Sequence, residues 1–358
     1  SFNLFTPEKF GNKTVGIAHR RWLLCNNPDL SNLITSSIGE RWITNPEYLS
    51  ELEKHADDSA FLKKFKDIKQ KSKNTLIDLL RTHMDVPADT TVMFDVQSGK
   101  IHPYKRQVLH IFNVLHRYLQ VKSGYSLKNR RLHIFAGKAS PSDFLAKQII
   151  HLINVTKELI NKDPEVREQM QVVFIPNFGM TWAENLVPAA DLSEQISTAS
   201  LEAASTFNMK FAFNGAYTIA SRSGSNIELA ERVGDQNISV FGKSTEELLA
   251  LNGYRPQDQL NADQRLRNIF SLLENLLPSL QDGSAIYPLL SSLRDSDRYY
   301  VLIDFADYLS KQELIDEAYL DSDLWAKKCI TNISRVGWFS SDRASLEYAN
   351  DIWKVTSA

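Results

Sequence analysis

Cysteine is scarce in this chain of 358 residues, which contains only Cys25 and Cys329. Two cysteines cannot form the disulfide framework of a small secreted protein, so the sequence predicts a reducing, cytoplasmic location. No apolar run approaches the roughly 20 residues that span a bilayer, and no secretory signal is recognisable, which predicts no contact with a membrane. The formal net charge is only −2, so the basic excess of a nucleic-acid-binding protein is also missing.

The composition is that of an ordinary globular protein, with 43% hydrophobic and 23% charged residues. Apolar residues recur at helical spacing before about Thr90, whereas short apolar runs alternate with amphipathic segments from Thr91 onward. This alternation is typical of βαβ units and predicts an α/β fold with a doubly wound, mostly parallel sheet. We therefore predict a mostly helical segment over 1–90, packed on a Rossmann-like domain over 91–358 that has a helical C-terminal part.

Short apolar runs mark the predicted strands, which are 92–94, 132–135, 172–175, 217–219 and 238–241. After about Ser244 the pattern is helical, except that aromatic and β-branched residues at 299–303 predict one late strand. Ligands of such sheets bind beyond the carboxyl ends of the strands. The loops that follow the strands are therefore where a site is expected.

Two of these loops carry cations. Gly137 and Lys138 lie between a predicted strand and a predicted helix, where backbone N–H groups and an ammonium can hold an anion. A tight turn with a solvated lysine fits the same pattern. Another strand-to-helix junction contains Lys100, Lys105 and Arg106. Cations at a helix start oppose its dipole, so these side chains bind an anion or a carboxylate, or else form a basic surface turn.

Two further segments admit both a chemical and a structural interpretation. Lys210 is a lone cation between apolar residues, where a lowered pKa would make its amine a nucleophile suited to a Schiff base. Its stem can equally pack on Met209. Asp191 and Ser193 offer a carboxylate and a hydroxyl after a small-residue turn, or they cap a helix. No metal site is predicted.

Several motifs occur in a fixed order along the chain. They are Arg20-Arg21-Trp22-Leu23, His102 with Tyr104-Lys105-Arg106-Gln107, the segment from Pro188 to Thr198, Asn208-Met209-Lys210 and Phe339-Ser340-Ser341-Asp342-Arg343. In this order they resemble the carboxy-terminal half of the α-glucan phosphorylases, the family of glycogen, starch and maltodextrin phosphorylases. The resemblance covers nearly the whole chain.

The resemblance implies a glycosyltransferase of GT-B type with its active site between two Rossmann-like halves. Such enzymes hold pyridoxal phosphate as a Schiff base on the lysine of the Asn-Met-Lys motif, which is Lys210 here. The phosphate of this cofactor exchanges a proton with inorganic phosphate, and an α-1,4-glucan end is released as glucose 1-phosphate. The implied partners are α-glucan and inorganic phosphate, and members of the family are commonly homodimers.

The resemblance also implies roles for individual residues. It assigns catalytic roles to Lys105, Lys100 and Thr206. It assigns cofactor binding to Lys210, Trp22 and Thr206, and substrate binding to Tyr104, Glu202 and His102. Two phosphates that lie side by side repel one another, so the pocket needs a cluster of cations and N–H groups.

Some residues depart from the family pattern around this pocket. Gly99 stands where the family has a lysine that grips the cofactor phosphate, and Lys100 stands where it has an arginine. Phe178 and Gly179 replace a Tyr-Arg pair, and Phe207 replaces a glycine that lets the backbone approach a phosphate. The polar lining is thinner than in the family, which predicts weak or absent cofactor binding.

The family's amino-terminal half, which supplies a phosphate-side loop and a sugar-contacting histidine, has no counterpart in the sequence. The resemblance therefore predicts the cofactor-side domain of an α-1,4-glucan phosphorylase that is inactive as an isolated chain. One alternative is a non-catalytic or engineered phosphorylase-like module that has lost the cofactor. A nucleotide-sugar transferase of the same architecture is another.

Overall fold

A single sheet of six parallel strands forms the centre of the computed structural model, which describes residues 2–84 and 89–355. The strands are β1 (Met93–Lys100), β2 (Arg131–Lys138), β3 (Met170–Pro176), β4 (Leu192–Gln195), β5 (Tyr217–Ser221) and β6 (Ile238–Phe241). Their order is β3-β2-β1-β4-β5-β6, and every neighbouring pair is parallel. This order is that of a doubly wound, Rossmann-like sheet, so the predicted fold class is confirmed.

Helices cover the sheet and also precede and follow it. They are α1 (Pro28–Ile38), α2 (Arg41–Thr44), α3 (Ser59–His83), α4 (Gln107–Lys122), α5 (Phe144–Lys162), α6 (Pro164–Arg167), α7 (Met180–Ala189), α8 (Thr206–Phe213), α9 (Ser225–Val233), α10 (Thr245–Leu249), α11 (Pro256–Ala262), α12 (Gln264–Leu276), α13 (Tyr287–Asp295), α14 (Val301–Leu320), α15 (Ser322–Arg335) and α16 (Ser341–Glu347). None of the helices in the described ranges is long and apolar enough to cross a membrane. The division of the chain into domains at residue 90 stays a prediction.

The strand β4 was not among the predicted strands, because three of its four residues are polar. Ser193, one of them, lies inside the strand and caps no helix. The preceding Asp191 is buried and accepts hydrogen bonds from the Lys73 ammonium (2.7 Å) and the Phe94 backbone N–H (2.8 Å). Helix capping by Asp191 or Ser193 is therefore wrong, and the carboxylate instead joins α3 to the first residues of β1.

The late strand predicted at 299–303 is also wrong, because α14 begins there at Val301. The Asp297 carboxylate accepts hydrogen bonds from the backbone N–H groups of Val301 (2.9 Å) and Leu302 (2.8 Å). These N–H groups have no partner within the helix, so the carboxylate stabilises the helix start. Of the residues that suggested a strand, those at 301–303 instead begin a helix, and Tyr300 directly precedes it.

The first and last parts of the described chain are held together. Ile17 forms a parallel bridge with Ser340, through Ile17 N–H to Phe339 O (2.8 Å) and Ser341 N–H to Ile17 O (2.9 Å). A side chain at Gly16 would clash with the Ser340 backbone, which explains glycine at this close approach. The 3-10 helix Pro46–His55 packs on α15. The elements that precede α3 therefore depend on the last helices for much of their packing.

His116 on α4 makes stability depend on pH. Burial, reinforced by the nearby guanidinium groups of Arg265 and Arg117, lowers the pKa of His116 to about 4. An unfolded histidine has a pKa of about 6.5, so below that pH the unfolded chain binds a proton that the folded chain does not. Stability is therefore lost as the pH falls from about 6.5 toward 4. For this partly exposed side chain we expect a loss of about 1–2 kcal/mol.

Urea unfolding at pH 7 and at pH 4.5 measures this loss in the parent chain and in His116→Gln. The variant should lose less of its free energy of unfolding between the two pH values. Equal losses in both proteins would contradict the assignment.

Candidate functional site

The candidate site lies where the strand order reverses, between β1 and β4. The chain leaves β1 at Lys100 and β4 at Gln195, and the two strands are parallel, so both following loops lie at the same edge of the sheet. In doubly wound sheets this point is an open crevice that binds ligands. The loops 101–106 and 196–205 are therefore brought together by topology.

An ion pair joins the two loops. The Lys105 ammonium contacts both carboxylate oxygens of Glu202, and the Ser197 hydroxyl donates to the same carboxylate. The two charged side chains are only 16% and 15% exposed. Lys105 thus has a carboxylate partner in this conformation, and an anionic ligand that binds it must compete with Glu202.

Arg106 fixes the backbone next to Lys105. Its φ of 56° lies in the left-handed region, which is uncommon for a residue with a side chain. The buried guanidinium donates to Asp304 Oδ2 (2.5 Å) and to the Ile196 carbonyl (2.6 Å). Lys105 and Arg106 both contact carboxylates, as the charges at this helix start suggested, but only Lys105 is partly open to solvent.

The other predicted substrate-binding residues lie in the same loop. His102 Nδ1 accepts a hydrogen bond from the Tyr104 backbone N–H (3.1 Å), and the two rings lie 4.6 Å apart. The Tyr104 carbonyl accepts from the Thr198 backbone N–H (2.8 Å), which ties this loop to the one after β4. Burial lowers the pKa of His102, and burial together with Glu202 raises the pKa of Tyr104. Both rings are therefore neutral near pH 7.

Lys210 lies between two aromatic rings. Its ammonium is 4.3 Å from the ring centroid of Trp22 and 4.4 Å from that of Phe207. Within the described part of the chain this ammonium has no ion pair or hydrogen bond, and burial lowers its pKa. The aromatic faces stabilise the charged form, whereas burial favours the neutral amine.

Asn214 joins the backbone of Lys210 to that of its aromatic neighbour Trp22, and sequence reasoning missed this residue. Its amide donates to the Trp22 carbonyl and to the Lys210 carbonyl, both at 2.9 Å. Asn214 Oδ1 accepts from Asn27 Nδ2 (3.0 Å). An Asn-Gly pair after a helix reads as an ordinary turn, so pattern alone could not identify this residue.

Two of the residues predicted to depart from the family pattern are neighbours in space. The rings of Phe178 and Phe207 lie 5.7 Å apart, and the Phe207 ring lies over the Lys210 ammonium. Gly99, a third predicted departure, has a φ of 125°, a conformation that residues with side chains rarely adopt. A lysine at this position would therefore strain the local backbone.

The remaining predicted residues lie around these two groups. Thr206 is the first residue of α8 and is half-buried, and Lys100 ends β1 with an exposed side chain. A small cavity of about 10 Å³ lies between Glu202 and Ser205. Such a cavity holds about one water. The site thus consists of two adjoining parts, one around Lys105 and one around Lys210.

The Gly-Lys turn at Gly137 and Lys138 forms no anion site at a helix start. Both residues belong to β2, and α5 begins only at Phe144 with Asp143 as its cap. A side chain at position 137 would clash with Ile101, so packing explains the glycine. The predicted tight turn is therefore wrong, because both residues extend a strand, while Lys138 is exposed to solvent as the structural interpretation expected.

The residues present fit pyridoxal phosphate only in part. A buried amine without a charged partner suits covalent attachment to an aldehyde. The phosphate of such a cofactor requires several donors. Here Gly99 has no side chain, Lys105 is paired with Glu202, and the Phe207 ring covers one side of the amine.

Comparisons with known proteins cover almost the whole chain. A family model for carbohydrate phosphorylases matches residues 1–355. A glycogen phosphorylase of Synechocystis sp. is 43% identical over 352 residues, which are 98% of this chain and 42% of that protein. A glycogen phosphorylase of Bacillus subtilis is 43% identical over 364 residues, with coverages of 99% and 45%. The liver form of human glycogen phosphorylase is 37% identical over 357 residues, with coverages of 99% and 42%. The chain spans less than half the length of these relatives.

Proposed function

Because the chain belongs to the carbohydrate phosphorylase family, we propose that it is the cofactor-side domain of an α-1,4-glucan phosphorylase. In this proposal the complete enzyme cleaves glucan ends with inorganic phosphate and releases glucose 1-phosphate. Pyridoxal phosphate, when bound, supplies a phosphate group that exchanges protons with inorganic phosphate. The residues of this chain hold the reacting groups at the crevice between β1 and β4.

The observation that carries the proposal is the environment of Lys210. It combines partial burial, a lowered pKa and a position between aromatic rings with the absence of a carboxylate partner in the described ranges. A structural lysine in such a place is normally paired, because an unpaired buried charge is costly. Lys73, for comparison, is buried against Asp191. A free amine beside Trp22 is what covalent attachment of an aldehyde requires.

The second part of the site suits phosphate and a sugar. We propose that Lys105 turns from Glu202 to inorganic phosphate when this substrate binds, with Lys100 and Thr206 as further contacts. Glu202 then becomes free to accept hydrogen bonds from glucosyl hydroxyl groups, beside Tyr104 and His102. The partial exposure of the Lys105–Glu202 pair supports such an exchange, since a fully buried pair would cost more to open.

One observation favours the alternative of a phosphorylase-like module that has lost its cofactor. Phe207 and Phe178 form an apolar contact beside Lys210, where the family has a glycine and a polar pair. Apolar rings in this position fill space and offer no hydrogen bond to a phosphate. The two proposals differ in a single measurable property, which is covalent attachment of pyridoxal phosphate to Lys210.

Borohydride trapping tests this property. The purified chain is incubated with pyridoxal phosphate, reduced, digested and analysed by mass spectrometry. We expect one dominant adduct, on Lys210, because its pKa is lowered and ordinary surface lysines stay protonated at neutral pH.

Two variants serve as controls. Lys210→Met should abolish the dominant adduct, whereas Lys138→Met, which changes an exposed lysine at the end of β2, should leave it unchanged. Labelling spread over many surface lysines, with no preference for Lys210, would favour the module without cofactor.

Turnover of an α-1,4-glucan with inorganic phosphate stays a prediction from the family, whose members are commonly homodimers. The prediction that these 358 residues release no glucose 1-phosphate on their own can be checked directly with maltodextrin and phosphate.

A further inference from the structure

Three fully buried side chains converge beneath the sheet, away from the site described above. Asp95 is on β1, His133 on the neighbouring β2 and His110 on α4, and all three side chains are 0% exposed. Asp95 Oδ2 lies 3.1 Å from His133 Nδ1 and 3.5 Å from His110 Nε2, and the two ring nitrogens are 3.1 Å apart. The three atoms form a nearly equilateral triangle.

These separations fit a tetrahedral metal ion. Zinc binds imidazole nitrogen and carboxylate oxygen at about 2.0–2.2 Å, so the ligand atoms around it lie about 3.3–3.5 Å apart. The observed triangle needs only small adjustments to reach that spacing. Asp95 Oδ1, which has no hydrogen-bond partner in the described ranges, can join Oδ2 as the second oxygen of a bidentate carboxylate, which gives four donor atoms in a distorted rather than regular tetrahedron.

The side chains of the triangle have more hydrogen-bond acceptor atoms than N–H groups that can donate to them. Gln97 Nε2 donates to the Lys105 carbonyl (3.0 Å), which leaves Gln97 Oε1 to accept from His110 Nδ1 (3.3 Å). A neutral His110 therefore directs the lone pair of Nε2 at the other two atoms. A single N–H on His133 Nδ1 would have to serve both Asp95 and His110. A cation bound by the three atoms removes this shortage and moves the His133 proton to Nε2, which has no partner in the described ranges.

The buried charges around the triangle are balanced. The carboxylates of Asp95 and Asp316 face the guanidinium groups of Arg117 and Arg131. Burial and the nearby Asp95 raise the pKa of Glu194, which favours its neutral form. Arg131 donates to Asp95 Oδ2 (2.9 Å) and to Asp316 Oδ1 (2.8 Å), so its own charge is shared. It thereby acts as an outer partner that orients the ligand carboxylate.

We propose that Asp95, His110 and His133 bind one Zn²⁺ ion. Two imidazoles and one carboxylate suit zinc, and complete burial makes the ion structural, because no substrate can reach it. The ion would tie β1, β2 and α4 together just before the loop that carries Lys105. The sequence predicted no metal site, since residues 95, 110 and 133 form no recognisable spacing motif.

Zinc content tests the proposal directly. The full 358-residue chain is unfolded in urea with a chelator, refolded with equimolar zinc sulfate and freed of loose metal, because a buried site must load during folding. Mass spectrometry of the metals should then give about one zinc per chain. Less than a tenth of a zinc per refolded chain would overturn the proposal.

Two ligand variants and one control assign the ion to this site. His133→Asn and His110→Gln keep a side-chain amide for hydrogen bonding but remove an imidazole, and each should lower the zinc content at least tenfold. His116→Gln removes a histidine of the same helix outside the triangle and should retain the full content. Equal zinc in the ligand variants and the control would also overturn the proposal.

A measurement on the parent chain covers the case in which the ligand variants do not fold. X-ray absorption at the zinc edge should show two imidazole ligands and no sulfur. Sulfur scattering would assign the metal to Cys25 or Cys329 and contradict the triangle. Thermal unfolding should also shift upward by about 3 °C or more with bound zinc, because a ligand that binds only the folded state stabilises it.

Discussion

Arg106→Met is expected to lower the free energy of unfolding by about 3–5 kcal/mol. The Arg106 guanidinium is 1% exposed and pairs with Asp304, which is 3% exposed. Removing the guanidinium leaves a buried carboxylate without its counter-charge and the Ile196 carbonyl without its donor. Urea unfolding followed by circular dichroism measures the loss.

A double variant separates the lost counter-charge from lost packing. Asp304→Asn removes the buried charge and keeps an acceptor for the Lys243 backbone N–H. Arg106→Met combined with Asp304→Asn should therefore regain a clear part of the stability. Arg255→Met, which breaks the exposed Arg255–Asp258 pair, should cost less than about 1 kcal/mol. A loss below about 1 kcal/mol for Arg106→Met would refute the role of the buried pair.

Phe207→Gly is expected to tighten the binding of pyridoxal phosphate about 10- to 100-fold, or about 1.4–2.7 kcal/mol. The centroid of the Phe207 ring lies 4.4 Å from the Lys210 ammonium, which also lies 4.3 Å from the ring centroid of Trp22. A planar cofactor bound to this amine needs part of that space. Removing the ring also removes one cation–π contact that favours the charged, unreactive amine. Absorbance titration with pyridoxal phosphate gives the affinity.

Phe207→Leu is the matched control, because it keeps an apolar side chain of similar reach at the same position of α8. It should leave the affinity close to that of the parent chain. Gly99→Lys restores a cation near the expected phosphate, but the φ of 125° should make this variant less stable without the same gain. An unchanged affinity in Phe207→Gly would show that the ring does not limit cofactor binding.

Five of the six strands could be predicted because each contains a short apolar run buried in the parallel sheet, although β1 continues through polar residues to Lys100, well beyond its predicted end. The strand β4 could not, because the sequence reads Leu-Ser-Glu-Gln. Its buried Glu194 is satisfied by the Tyr308 hydroxyl (2.9 Å) and the Gln312 amide (2.6 Å), which come from α14, more than 110 residues later. Such distant partners leave no local signal.

The candidate site was predicted from family motifs more than from periodicity. The motifs identified Lys105, Glu202 and Lys210 individually, and the sheet topology explains why the first two meet. Periodicity alone could not distinguish a functional lysine from one whose side chain is solvated or packed for structural reasons. Contacts that depend on the folded chain, such as Phe178 with Phe207, carried no sign in the sequence.

The packing of the 3-10 helix Pro46–His55 on α15 has a consequence for synthesis on the ribosome. The 3-10 helix is made roughly 270 residues before α15, which covers part of it. At about 5–20 residues per second, roughly 15–50 s pass between the two. During that interval the 3-10 helix can pack on α1 and α2 but lacks its partner α15, so part of its apolar surface stays uncovered until α15 emerges. The Ile17–Ser340 bridge then closes over an already folded sheet.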